Sequence, residues 1–251
     1  MIPKLNSKTL SKDLPAIHKL FRTIGSFSAL LAKERPNWMH VGFKVNQKSI
    51  STDYFSKSAG EKVVIEPRKL IIKFISANGK ENKLHLTPTI SSIEIFEFIA
   101  SKVNKECELP PLTNHTLAPL GINTELFIDI FEAVSFMQQI FTQLENKFGI
   151  EQSTIKLWPH HLDLAFNWYN PNDIEQLIYH GFSLGDETIQ MPYLATYIHP
   201  WPKDFLPRVK KPQYYNDKEW RGIVLNYSDI KTSEEVVDFF TTHHEQLLST
   251  I

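Results

Sequence analysis

The chain has 251 residues, 42% of them hydrophobic and 22% charged, with 17 Phe. That apolar content is enough to bury a sizeable core and excludes a chain disordered throughout. Lys plus Arg number 27 against 28 Asp plus Glu, and the formal net charge of -1 gives no global pull toward nucleic acid or an anionic membrane.

Met1 to Leu14 mixes Lys and Asp with isolated apolar residues and lacks the continuous apolar core of a signal peptide. No stretch approaches the ~20 apolar residues that span a bilayer, so no membrane partner is expected and the default location is cytoplasmic. A first helix is predicted, with Asp13 as its cap and Pro15 in its first turn. Ile17, Leu20, Phe21, Ile24, Phe27 and Leu31 recur at helical spacing, and Pro36 ends the run.

A β-rich block follows. Met39, Val41, Phe43 and Val45 alternate with His40, Gly42 and Lys44, and Val63 with Ile65 marks another short strand. Lys69 to Ser76 and Lys83 to Thr87 flank Asn78-Gly79, a strong type I′ hairpin signal. The connections are too short for helical crossovers, so the sheet is expected to be antiparallel. Ser91 to Glu94 form a capping box before the stripe Ile95, Phe96, Ile99 and Val103.

Cys107 is the only cysteine, which excludes an internal disulfide and a Cys-rich zinc site; its neighbours Glu106 and Glu108 argue against a reactive thiolate. Residues 107–121 are Pro-rich and form the one weak candidate boundary. A long aromatic helix is predicted from about Asn123 to Phe148, and Gly149 suits its end. A second β-rich block covers about Ile155 to His199. A loop rich in Pro, Lys and aromatics runs from Pro200 to about Ser228. Thr232 and Glu235 then open a last helix, on which His243 and His244 read as surface residues. The expected architecture is a single α+β domain over 1–251, with mainly antiparallel sheet packed against long amphipathic helices.

The region from Trp158 to Trp201 carries the chemical hints. Read as one strand, 155–168 puts Trp158, His160, Leu162, Leu164, Phe166 and Trp168 on a core face. His161, Asp163, Ala165 and Asn167 share the other face. Tyr193, Ala195, Tyr197 and His199 share a face of the strand 193–199. If the two faces meet, His161, Asp163 and His199 form a two-histidine, one-carboxylate set suited to Fe, Zn or Mn. The plainer reading is a hydrogen-bonded pair on a solvated strand. Asp186 and Glu187 offer carboxylates for a general base, although Gly185-Asp186-Glu187 also reads as an ordinary turn. A pocket would use Asp163, Glu187, Asp186 and His161 as its polar groups and Tyr193, Tyr197 and Trp201 as its walls. Arg208, Lys210, Lys211, Lys218 and Arg221 interleave with Tyr214, Tyr215 and Trp220, a pattern that can bind single strands or cover a pocket; in a neutral chain a solvated loop is the simpler reading.

Trp158 to Ala165, Gly181 to Glu187, Pro192-Tyr193 and Pro200 to Pro202 resemble the shared blocks of an uncharacterised protein family, a domain of unknown function. Trp38 to Phe43 and the helix over Phe131 to Phe148 are similar to it as well. The resemblance spans about Leu20 to Pro202 and implies a single domain without implying a reaction. Members that keep only the Asp-Leu part of the first block favour Asp163 over His160 and His161. Two functions are therefore expected as alternatives: a small-molecule enzyme or ligand-binding protein, and a non-enzymatic interaction module with a solvated polar strand face.

Overall fold

The computed structural model describes residues 2–5, 7–103, 117–149 and 153–251. Cys107 and most of 107–121 lie outside them. The fold is α+β, and the described residues form two antiparallel sheets and four helices. No described helix is long and apolar enough to cross a membrane. The chain divides into two compact units: residues 8–132 with 156–162, and residues 1–7, 133–155 and 163–251. The divisions thus fall inside two helices and on either side of 156–162.

The first unit holds α1 (Ser7–Leu31), strands β1 (Lys44–Val45), β2 (Ile50–Ser51), β3 (Lys62–Glu66), β4 (Ile71–Ile75) and β5 (Glu81–His85), and α2 (Ser92–Ala100). It also takes the start of α3 (Thr124–Phe148) and the short strand β6 (Lys156–Trp158). Its sheet runs in the order β1-β2-β3-β4-β5. All six residues of the predicted α1 stripe are buried. The helix begins six residues before Asp13, so Pro15 lies in its interior, and the Asp13 carboxylate accepts from Asn123 Nδ2 (2.9 Å). Residues 39–42 are turn rather than strand, and Phe43 is tied only by a bridge to Leu157. The β4–β5 hairpin forms, but only Gly79 has positive φ (81°), and Gly79 N–H donates to Ser76 O. A type I′ turn needs two such residues, so the observed turn differs in type from the predicted one. The Ser91–Glu94 capping box is present in full.

The second unit contains the rest of α3, strands β7 (Asp163–Asn170), β8 (Asp173–Ser183), β9 (Tyr193–His199), β10 (Tyr214–Asp217) and β11 (Arg221–Asn226), and α4 (Ser233–Leu248). Within the unit the strand order is β10-β11-β9-β8-β7, antiparallel throughout. The stretch read as a loop therefore supplies a hairpin, and β11 is an interior strand. One sheet face carries Phe166, Trp168, Ile178, His180, Phe182, Ile198 and Ile223, all buried. Phe141 of α3 packs edge-on against both Phe166 and Phe240 of α4, each at 5.2 Å. On α4 the buried positions are Val236, Phe239, Phe240, His243, His244 and Leu247. His243 and His244 are therefore core residues. Their i+3 and i+4 spacing from Phe240 puts them on the apolar stripe.

Candidate functional site

The pleat of the second sheet sends alternate residues to its other face. The registers Asn167↔Tyr179↔Tyr197 and Ala165↔Gly181↔Ala195 define the rows, and Ser183↔Tyr193 follows. Val224 and Tyr214 continue the face across β11 and β10. Tyr193, Ala195 and Val224 form a buried cluster, against which Tyr179, Ile189, Tyr214 and Trp220 pack while half-buried. The Tyr179 and Tyr197 rings stack at 4.6 Å and 15°. Trp220 stacks on Tyr193 at 6.2 Å and leans toward Tyr197 at 6.0 Å.

Two glycines let these rings lie against the sheet. A Cβ on Gly181 would sit 2.0 Å from the Tyr179 hydroxyl oxygen, and one on Gly222 would sit 2.5 Å from the Trp220 ring. Tyr179 thus runs along its own strand over Gly181, and its hydroxyl donates to Asp163 Oδ2 at 2.8 Å.

Carboxylates bound this face. Asp163 opens β7. Asp186 sits in the turn after β8, where its Oδ1 accepts from Thr188 N–H (2.8 Å) and Ile189 N–H (2.7 Å) while its Oδ2 accepts a short bond from the Tyr193 hydroxyl. Gly185 precedes it at φ 112°. The turn reading holds, and the same turn anchors a tyrosine. Burial raises all three phenol pKa values, Tyr197 to about 12. The charge of Asp163 raises each of them further. The tyrosines are therefore neutral donors in a field set by carboxylates.

Asp163, Asp186, Tyr193 and Tyr197 come to one sheet face. Trp201 does not: it stacks on Tyr215 (5.5 Å) and joins Trp168, Ile178, Ile198 and Leu247 on the helix-covered face. Glu187 is exposed in the turn. His199 pairs with Leu177, whereas Asp163 lies at the Ser183 end of β8; six residues of strand, about 20 Å, separate the rows. Ligands of one ion with ~2 Å bonds cannot be that far apart.

His161 belongs to the other unit. Residues 159–162 form a turn between β6 and β7, with Leu162 at φ 54°, so the continuous alternation expected over 155–168 is broken. His160 and His161 are both exposed, and His160 is not the core histidine expected. Among the described residues no group of three or more His, Cys, Asp or Glu is placed to hold a metal.

Tyr179 was not among the expected site residues, and Trp220 was expected only on a loop that binds single strands or covers a pocket. The Tyr-x-Gly and Trp-x-Gly spacings were their only signal, and a ring lying over a glycine two residues on along one strand is what they encode. Two buried polar sites were also missed. Lys156 is fully buried and bonds Asp53 Oδ2 and Gly42 O, both at 3.2 Å. Burial lowers its pKa, and Asp53 opposes the shift. Lys44 holds the other Asp53 oxygen at 2.7 Å, so this is a paired internal charge already committed to structure. In the second unit, His180 Nε2 lies 3.0 Å from His244 Nδ1, and its Nδ1 lies 3.0 Å from Thr196 Oγ1. Comparison of the chain with protein-family models, curated proteins and solved structures finds no match.

Proposed function

We propose that the protein binds a small organic cation on the tyrosine face of its second sheet. The observation that carries this reading is the packing of three phenols and an indole beside two carboxylates, which accept from the Tyr179 and Tyr193 hydroxyls. Aromatic faces attract a cation through the negative potential above the ring, by about 0.5–2 kcal/mol per ring depending on desolvation. Carboxylates beside them add a longer-range pull and disfavour anions. The glycines beneath Tyr179 and Trp220 keep the rings flat against the sheet, so the surface is formed before a ligand arrives. Asp163 and Asp186 fix two ring orientations, acting as positioning residues as well as charges.

A titration with choline and with its neutral isostere 3,3-dimethylbutanol, followed by tryptophan fluorescence, tests this reading. Choline is expected to bind more tightly by about tenfold, the equivalent of one 1.4 kcal/mol cation–π contribution. Equal affinity for the two would refute it.

A further inference from the structure

The first unit carries a separate cleft of about 740 Å³, lined by Pro15, His18, Lys19, Arg22, Thr23, Ser26, Ser92 and Phe96. That volume suits a small ligand. No carboxylate lines it. The lining combines cationic groups and hydroxyls from α1 with the first residue of α2, where backbone N–H groups have no partner within the helix. The exposed Glu94 carboxylate on α2 is committed to Ser91, accepting from its N–H at 2.8 Å and its hydroxyl at 2.7 Å.

Two further observations point to a ligand. Ser92 is 5% exposed, yet its buried Oγ has no hydrogen-bond partner among the described residues. A buried hydroxyl left so is costly unless something arrives to bond it. The second observation is a gathering of basic side chains. A Cβ on Gly25 would lie 2.9 Å from the Pro159 ring, so the 159–162 turn packs tightly on α1. That packing puts His160 and His161 within electrostatic reach of His18 and Arg22. Partial desolvation where this turn meets α1 lowers the His18 and His160 pKa values first. Arg22 and His161 lower each further, while the carbonyls of His160 and Pro159 partly offset the shift at His18. No acid appears among these influences. The opposite wall is apolar, with Phe96 held by Phe27 at 4.7 Å.

We infer that this cleft is a binding site for a phosphate monoester with an apolar or aromatic body. Arg22 and His18 take the dianion, Ser92 Oγ donates to one of its oxygens, and Phe96 with Pro15 packs on the organic part. A tetrahedral anion offers enough acceptor oxygens for a guanidinium, a hydroxyl and an imidazolium together. Binding brings negative charge to His18, whose pKa burial lowers, and so favours its protonated form. The other charged groups facing the cleft are Lys19 and Arg22 on α1.

NMR titration of the full chain with phenyl phosphate, inorganic phosphate and benzoate, read on the imidazole resonances, tests the site. Phenyl phosphate is expected to give saturable shifts of His18, His160 and His161 and to bind more tightly at pH 6 than at pH 8. Arg22→Gln is expected to weaken it at least about tenfold, as loss of a charge-assisted bidentate contact does. Ser92→Ala is expected to weaken it severalfold with unchanged melting. Absence of saturation by about 10 mM, the weak end of specific binding, would overturn the inference. So would unchanged affinity in Arg22→Gln, or benzoate or bare phosphate binding as tightly as the ester.

Discussion

Tyr179 and His180 are neighbours on β8, and the pleat sends them to opposite faces of one sheet. His180 is fully buried against Phe148, Phe166 and Phe240. Both its ring nitrogens are engaged, by Thr196 and by His244. Burial, followed by repulsion from His244, holds the His180 pKa well down, and burial lowers His244 as well, so the pair is neutral near pH 7. Tyr179 is half-buried and gives its hydroxyl to a carboxylate. The two residues share a backbone and differ in what lies above them. Hydrocarbon makes one polar group a neutral structural link, and carboxylates make the other part of a charged surface.

Acid should separate the faces most strongly. Burial pulls His243 and His244 down to about 4. In the unfolded chain they titrate near ~6.5, so below that pH the unfolded state binds more protons. Their stabilising contribution is complete above ~6.5 and is lost as pH falls toward 4, on the order of 3 kcal/mol for each histidine as an upper bound. Urea unfolding at pH 7 and pH 4.5 should show a large fall in midpoint, and a flat profile would contradict the buried, neutral assignment.

Phe166→Ala comes next. It removes a ring packed on Phe141, Phe148 and His180. A loss of about 3–5 kcal/mol in urea unfolding is expected, with choline affinity retained in the folded fraction. Gly181→Ala should cost less, about 1–2 kcal/mol, because the flexible Tyr179 can swing away while losing its bond to Asp163. Its choline affinity should fall nonetheless; wild-type affinity would show that the flat ring is irrelevant. Tyr197→Phe is the smallest change. It keeps the π face, so stability should hold within about 0.5 kcal/mol and choline affinity within about twofold.

Much of this fold was legible because its signals are local. The α1 stripe, the Ser91–Glu94 box and the long aromatic helix depend on spacing along the chain, and each formed. Departures arise where tertiary context decides. Residues 39–42 alternate as a strand should, yet they turn, and Phe43 meets Leu157 through a single bridge. Pro159 and the positive φ of Leu162 break the 155–168 run, which ends the alternation that grouped His161 with Asp163. For the site, alternation on β9 placed Tyr193 and Tyr197 on one face. Which residues join them is a question of strand register, and register brought Tyr179 in and carried His199 away. The β10–β11 hairpin was hidden by its Pro and Lys content, and with it the place of Trp220 on this sheet face. His243 and His244 were legible from their spacing to Phe240 and were misread by their polarity.

The most direct test of the cation-binding face is the affinity of Asp163→Asn for choline relative to wild type. Asn preserves the shape and an acceptor for the Tyr179 hydroxyl and removes only the charge. A loss of about tenfold, with binding of 3,3-dimethylbutanol unchanged, is the predicted result. Undiminished choline binding in Asp163→Asn would contradict the assignment of this carboxylate and its tyrosines as a cation site.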